Sequence, residues 1–338
     1  MTSSTAPRPA SSAVEGPGPR PLFDGQRTTG EQLLVKAFVV VPLLALLAAV
    51  PLAWGWGLSW TDIGLAVSFY FLSGLGITVG FHRHFTHRAF KATRALKIGL
   101  AVAGSMAFQG PIIHWVADHR RHHAFTDKEG DPHSPWLFGT SPLAVAKGFV
   151  HAHMSWLFVR DKTNAARFAP DLLADRDLRR VHRQFIGWSL VSLAAPALLG
   201  GVITWSWWGA VTGFFWAGLV RLAVLNHVTW SINSICHMIG SRPFTVRDRS
   251  TNFWPLAIVS MGESWHNFHH ADPTSARHGV RPGQLDMSAR LIAIFEKLGW
   301  VHDVRWPTPR RLARLTERQH DGPGGDLRGA PPIGSTTP

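Results

Sequence analysis

Cysteine and charged residues are both scarce in this chain of 338 residues, which has one cysteine, Cys236, and only 16% charged residues. A single thiol excludes an internal disulfide framework and any cysteine-ligated zinc or iron–sulfur site. The low charged fraction, beside a hydrophobic fraction of 46%, fits a protein that places part of its surface in lipid. Acidic residues are outnumbered, and the net charge of +13 favours an anionic neighbour. Because the basic residues cluster beside apolar segments, we expect a membrane surface and not nucleic acid.

Long apolar segments are present where charge is absent. Four stretches are long enough to cross a bilayer, and they lie near 37–57, 62–82, 185–205 and 208–230. The short connection within each pair carries tryptophans and neither Lys nor Arg. These tryptophans are Trp54, Trp56 and Trp60 in the first connection, and Trp205, Trp207 and Trp208 in the second. Since tryptophan favours the headgroup level, the sequence predicts two helical hairpins with their tips at one interface.

The positions of Lys and Arg predict an orientation. They flank only the other ends of the spans, so the positive-inside rule places both termini and the segments 83–184 and 231–302 in the cytoplasm of a multi-pass protein of the plasma or inner membrane. A fifth apolar stretch, 95–115, is predicted to be a buried or interfacial helix that does not span. Residues 1–30 and 303–338 are predicted to be disordered tails around a membrane domain of residues 31–302.

Histidine is abundant, with 19 residues, and three clusters stand out. The clusters read His82-Arg-His-Phe-Thr-His87, His119-Arg-Arg-His122-His123 and His266-Asn-Phe-His269-His270, and Asn233 and His237 form a further i, i+4 pair. Spacings of three and four place side chains on one helical face, whereas a spacing of five fits a helix end better. Neutral imidazole suits zinc, copper and iron. Nine imidazoles are too many for one ion and about right for two.

Other polar residues have more ordinary interpretations. Isolated histidines are expected to be surface or hydrogen-bonded residues, and these are His84, His114, His151, His153, His182 and His302. A carboxylate-rich di-iron site needs two Glu-x-x-His motifs. Only Glu263-Ser-Trp-His266 is credible, so Glu263 is predicted to orient a ligand through a hydrogen bond. Three arginines are either phosphate partners or ordinary positive-inside charges: Arg120, Arg121 and Arg160.

At these clusters the sequence resembles the membrane-bound fatty acyl desaturases, specifically the acyl-CoA Δ9 group, over about residues 60–285. The resemblance implies an all-α integral membrane protein with four transmembrane helices and a cytoplasmic helical cap that holds a histidine-rich di-iron site. The implied metal ligands are His82, His87, His119, His122, His123, His237, His266, His269 and His270, with Asn233 approaching a metal through water. The implied substrate contacts are Asp118, Arg160 and Trp230. Gly110, Ala117 and Asp161 depart from the pattern of the animal enzymes at positions that hold coenzyme A there, so the acyl carrier stays open among coenzyme A, acyl carrier protein and a phospholipid.

The function implied is an O₂-dependent desaturation in fatty acid biosynthesis. A cis double bond, Δ9 by the resemblance, would enter a saturated acyl chain, with acyl-CoA as the expected substrate and two Fe ions (Fe²⁺/Fe³⁺) as cofactor. Because Cys236 alone cannot hold an iron–sulfur cluster, electrons are expected from a separate ferredoxin or flavoprotein. A related histidine-box hydroxylase or monooxygenase is the alternative. A membrane metal transporter or sensor is disfavoured because the middles of the predicted spans lack His, Asp, Glu and Lys; the exception, Arg221, is expected to face the bundle interior.

Overall fold

The computed structural model describes residues 20–53 and 57–317. In chain order its helices are α1 (Thr29–Ala53), α2 (Trp60–Thr86), α3 (Arg94–Ser105), α4 (Ile112–Phe125), α5 (Pro142–His153), α6 (Ala165–Phe168), α7 (Pro170–Ala174), α8 (Arg176–Arg183), α9 (Phe185–Thr204), α10 (Trp207–His237), α11 (His266–Ala271), α12 (Met287–Lys297) and α13 (Pro309–Glu317). Short 3₁₀ turns occupy Ser155–Phe158 and Trp254–Leu256. The strands are β1 (Phe23–Gln26), β2 (Lys91–Ala92), β3 (Asp161–Thr163) and β4 (Val301–His302), which pair antiparallel as β1–β3 and β2–β4. The fold is all-α, as predicted.

Four of these helices, α1, α2, α9 and α10, are long and apolar enough to cross a membrane. They correspond to the four predicted spans. Ser59 caps α2, because its side chain accepts from the amide of Asp62 while the Asp62 carboxylate accepts from the amide of Ser59. Trp205 ends α9 in the left-handed conformation, with φ 49°. Trp60, Trp205 and Trp207 are exposed at the hairpin ends, whereas Trp54 and Trp56 lie outside the described residues.

The stretch 95–115 is not one helix. Between α3 and α4 the chain turns through Phe108 (φ 61°) and Gly110 (φ 97°), and Pro111 precedes α4. The 12 residues of α3 reach only about 18 Å at 1.5 Å per residue, short of a membrane core of about 30 Å. The prediction of a non-spanning helix is confirmed for α3, and its predicted extension to residue 115 is wrong.

The predicted tails are too long at both ends. Residues 20–30 contain β1 and the start of α1, and the amide of Arg27 donates to the carbonyl of Arg160 at 2.8 Å. Beyond residue 303, α13 forms and Arg311 pairs with Asp272. Both segments are ordered by partners far away in sequence, so local composition gives no sign of them. Residues 1–19 and 318–338 lie outside the described residues, and their disorder stays a prediction.

Arg221 lies inside the helical bundle, as predicted. Its guanidinium donates to Ser73 Oγ of α2 at 3.2 Å and to the Ser192 carbonyl of α9 at 3.0 Å. These bonds satisfy a buried cation and tie α10 to two other spanning helices. The bundle thereby holds the ends of α2 and α10, which carry histidines, beside α4 and α11.

Candidate metal centre

All nine histidines predicted as ligands fall into two groups, and in each group one side-chain nitrogen per residue lies within 4.8 Å of the others. The five-histidine group contains His82, His87, His119, His123 and His269. The four-histidine group contains His122, His237, His266 and His270. Two neighbouring sites, each with converging imidazoles, therefore form where the sequence predicted a pair of ions.

The spacing on α4 and α11 explains how two clusters supply two groups. Residues four apart share a face, so His119 and His123 enter the five-histidine group while His122, one position before, turns toward the other. On α11 the division is reversed, because His266 and His270 enter the four-histidine group. The predicted convergence of three histidines on one face is thus refined: each helix is shared between both groups.

His82 and His87 are brought together by an unusual helix geometry. The end of α2, Gly76–Thr86, is a π-helix, and the amide of His87 donates to the carbonyl of His82 at 3.1 Å, five residues back. A π-helical turn brings residues five apart to one face, and such turns are frequent at functional sites. The prediction that this pair lies at a helix end is confirmed, since His87 is the C-cap residue directly after α2.

Carboxylates fix the proton on several of these imidazoles. His122 Nδ1 donates to Asp131 Oδ1 at 3.0 Å. His237 Nδ1 donates to Asp127 at 3.1 Å, and His270 Nδ1 to Asp248 at 3.0 Å. A proton held on Nδ1 leaves the Nε2 lone pair directed at the centre of the group and makes it a better ligand. As predicted, Glu263 contacts one of the histidines of the groups, with Oε2 2.5 Å from His82 Nδ1.

The four-histidine group fits a cation because protons alone cannot satisfy it. The Nε2 atoms of His237 and His270 lie 3.1 and 3.0 Å from His266 Nε2, and both are lone-pair acceptors. A proton on His266 Nε2 can serve only one of them, so a buried lone pair remains without a partner. Two nitrogens about 2.1 Å from one ion, at a right angle, stand about 3 Å apart. A metal ion among the nitrogens therefore meets both requirements.

The five-histidine group has the same spacing. His269 Nε2 lies 3.1 Å from His82 Nε2 and 3.0 Å from His123 Nε2. Burial lowers the pKa of His119, His123 and His269 well below the usual value, and such histidines stay neutral at physiological pH, as ligation requires. The rings of His123 and His270 stack at 4.6 Å and join the two groups.

A cavity of about 370 Å³ reaches both groups. His82 and His119 of one group and His266 of the other lie on its wall. Its apolar lining comes from α1, from α10 and from the loop before α11, and includes Leu34, Val35, Phe38, Leu225, Val228 and Met261. Leu225 lies 12 residues before His237 on α10, about 18 Å deeper at 1.5 Å per residue. A long apolar ligand can thus extend past the histidines into the bundle.

The model of the fatty acid desaturase family matches residues 58–305, most of the chain and all of its histidine clusters. The chain belongs to the fatty acid desaturase family. This desaturase is accordingly an oxidoreductase of fatty acid metabolism, with a membrane-embedded helical bundle.

The names of three relatives of the desaturase specify three different acyl carriers. A hex-5-enoyl-[acyl-carrier protein] acetylenase of Moorena producens is 41% identical over 275 residues, 81% of this chain and 86% of the relative. Delta-9 acyl-lipid desaturase 2 of Arabidopsis thaliana is 36% identical, covering 76% of this chain and 79% of the relative. A probable acyl-CoA desaturase of Schizosaccharomyces pombe is 36% identical, covering 71% and 48%.

The structure separates the predicted substrate residues of the desaturase. Asp118 and Trp230 line the cavity, whereas Arg160 is exposed and is not on its wall. Asn233 lies on the wall with His266, and its approach to a metal through water stays a prediction. The charged residues on the wall are Asp118 and Glu263, together with Arg27, Glu31, Lys162 and Arg183.

The side chains of Arg120 and Arg121 form hydrogen bonds within the protein. Arg120 donates to the carbonyls of Phe85 and Thr86 and to Asp171 at 2.6 Å. Arg121 donates to the carbonyl of Gly130 at 2.7 Å and to Thr163 Oγ1 at 3.0 Å. Because both guanidiniums are used inside the protein, neither is placed to pair with a phosphate of the acyl carrier.

Sequence reasoning missed two buried histidines. His133 stacks on His122 at 4.4 Å and lies near Asp131. His278 joins His82 and Glu263 in a third cluster, where Arg83 Nη2 is 3.2 Å from His278 Nδ1. Both are isolated in sequence, and only the position of His133 two residues after Asp131 gave a signal.

Proposed function

We propose that this desaturase introduces a cis double bond, at Δ9, into a saturated acyl chain carried by coenzyme A, using O₂ and two iron ions (Fe²⁺/Fe³⁺). The observation that carries the proposal is that the 370 Å³ cavity has histidines of both groups on its wall and an apolar extension into the bundle. An apolar slot beside two metal sites suits an acyl chain whose reacting methylenes lie at the metals.

The chemistry needs an oxidant that side chains do not provide. A bound iron pair would act as an oxidant strong enough to remove hydrogen from an unactivated methylene, which general acid–base groups cannot do. The nine histidines would hold the two ions. The chain's own apolar residues, such as Phe38, Leu225 and Met261, position the acyl chain and exclude water.

Electrons would enter from a separate ferredoxin or flavoprotein. A second opening, of about 240 Å³, is lined by His87, His123 and His270, so histidines of both groups are reached from it. Asp248 also lines this opening, and its neighbours Arg247 and Arg249 are exposed. Exposed arginines at the entry to the metal sites suit an acidic donor protein.

The identity of the products tests the reaction type. In a host that lacks its own desaturase, expression is expected to yield a monounsaturated fatty acid with the double bond at Δ9, and purified enzyme with donor and O₂ should remove two hydrogens from stearoyl-CoA. Mass spectrometry of the products makes the measurement. Gain of one oxygen would replace the proposal with a hydroxylase or monooxygenase. A triple bond made only from an unsaturated substrate would give it the activity named for the Moorena relative.

The orientation is also proposed: both termini and the histidine groups face the cytoplasm. Lys and Arg flank the spans on that side only. Reporter fusions at residue 130, between α4 and α5, and at residue 206, between α9 and α10, are expected to report opposite sides of the membrane. Reporters on the same side would contradict the four-span arrangement.

A further inference from the structure

The wall of the cavity includes side chains that are also exposed on the outer surface. Leu34 on α1 is 44% exposed and Ile186 on α9 is 43% exposed, and both line the cavity, as does the exposed Arg183. A side chain that borders a cavity and also faces outward marks a place where the cavity opens. Leu34 and Ile186 belong to spanning helices, so this opening faces lipid.

The opening lies between α1 and α9. The contact between these helices here runs through two aromatic rings, Phe38 and Phe185, whose centroids are 5.8 Å apart. Phe38 also packs on Phe108 at 4.5 Å. We call Leu34, Phe38, Arg183, Phe185 and Ile186 the lateral mouth. Side chains alone separate the cavity from lipid at this point.

The rim of the lateral mouth changes from charged to apolar along the membrane normal. Arg183 ends α8 just before α9 begins, and Ile186 lies about one turn further into the span. On the facing side, Arg27 precedes α1, and Leu34 lies further along this helix. Near the charged start of α1, Lys162 Nζ lies 2.9 Å from Glu31 Oε1. An amphiphile with a phosphate head group and a buried chain has the same polarity gradient.

We infer that the acyl chain enters the cavity sideways from the membrane leaflet through the lateral mouth, while the phosphates of its head group stay at the level of Arg27, Lys162 and Arg183. The substrate is then an acyl-CoA already partitioned into the leaflet. A long saturated chain is held by the leaflet because each buried methylene favours transfer out of water. Entry through a lipid-facing opening spares the chain any passage through water. This inference rests on the proposed function.

Blocking the lateral mouth with bulk tests the route. Ile186→Trp and Leu34→Trp in proteoliposomes are expected to lower kcat/KM for stearoyl-CoA by about tenfold or more. The matched controls are Leu190→Trp and Leu33→Trp, on the same helices, which are 62% and 61% exposed and do not line the cavity. They should retain the wild-type value. Metal content and membrane levels of each variant show that it has folded.

A labelling experiment gives a second readout that needs no turnover. Cys236 is the only cysteine and is buried, so Ile186→Cys and Leu190→Cys each present one accessible thiol to a membrane-permeant maleimide. Stearoyl-CoA is expected to slow labelling at position 186 and to leave position 190 unchanged. Labelling at position 186 that stearoyl-CoA does not slow, together with unaffected Trp variants of an active enzyme, would overturn the lateral route and leave the desaturase function intact. Protection by a stearoyl phospholipid but not by stearoyl-CoA would overturn the assignment to acyl-CoA. Absence of any product from the wild-type enzyme would instead overturn the proposed function.

Discussion

His269→Ala is expected to abolish desaturation while the protein remains in the membrane. His269 is fully buried, and its Nε2 lies within 3.1 Å of two other histidine nitrogens of the five-histidine group. Removing it takes away one of the proposed ligands, so bound iron should fall from the proposed two ions per chain toward about one. His122→Ala should act in the same way on the four-histidine group. Elemental analysis of protein made with iron supplied, and fatty-acid profiles of the expressing host, make the two measurements.

The matched control is His302→Ala. His302 is exposed on β4 and belongs to neither group, so its loss should change neither metal content nor product. Turnover by His269→Ala at the wild-type rate would remove His269 from the ligand set. Zinc bound in place of iron would be an inactive substitute, because zinc has no redox chemistry.

The two histidine groups could be predicted from the sequence because most of their members come from short local clusters. Spacings of three and four on α4 and α11 bring histidines to adjacent faces whatever the rest of the fold does. The pairing of His82 with His87 was harder, since a π-helical turn has no clear sequence signal. The division of each cluster between the two groups depends on how α4 and α11 are placed relative to each other. The spacing of residues along the sequence does not predict that arrangement.

The carboxylate partners of the histidines could not be predicted in the same way. Asp127 is 110 residues from His237 along the chain, and Asp248 reaches His270 from a loop. Glu263 is the exception, because the Glu-x-x-His spacing drew attention to it. Long-range partners also explain the errors at the tails: β1 pairs with β3, 135 residues away at Gln26 and Asp161.

The residues that line the cavity were predicted less completely than the histidines that form the two groups. Asp118 and Trp230 lie on α4 and α10, which also carry histidines of the two groups, so their positions follow from those of the histidines. Arg160 lies beside β3, where the chain leaves the cavity wall, and Lys162 takes the position on the wall instead.

Two residues form a tight contact in the apolar extension of the cavity, Gly74 on α2 and Met261 in the loop before α11. Both line the cavity, with Leu225 beside them. A Cβ added at Gly74 would come 2.3 Å from Met261 Cε and 3.2 Å from Leu225 Cδ1. Gly74 lies eight residues before His82, about 12 Å deeper in the bundle at 1.5 Å per residue. The far end of the acyl chain would therefore pass this contact after it has passed the metal groups.

Gly74→Ala is expected to shift the desaturase from long toward shorter acyl chains. The new methyl group must displace the flexible Met261 side chain, and the space available to that side chain includes the cavity. A chain that reaches past this point then loses contacts or must bend, whereas a shorter chain does not, so the ratio of kcat/KM for stearoyl-CoA to that for myristoyl-CoA should fall by about tenfold. The control is Gly64→Ala on the same helix, where an added Cβ meets nothing within 4 Å. The double variant Gly74→Ala, Met261→Ala removes the clash and should recover much of the wild-type ratio.

Competition between the two substrates in one reaction measures the ratio directly. An unchanged ratio in Gly74→Ala would show that the acyl chain does not extend past Gly74.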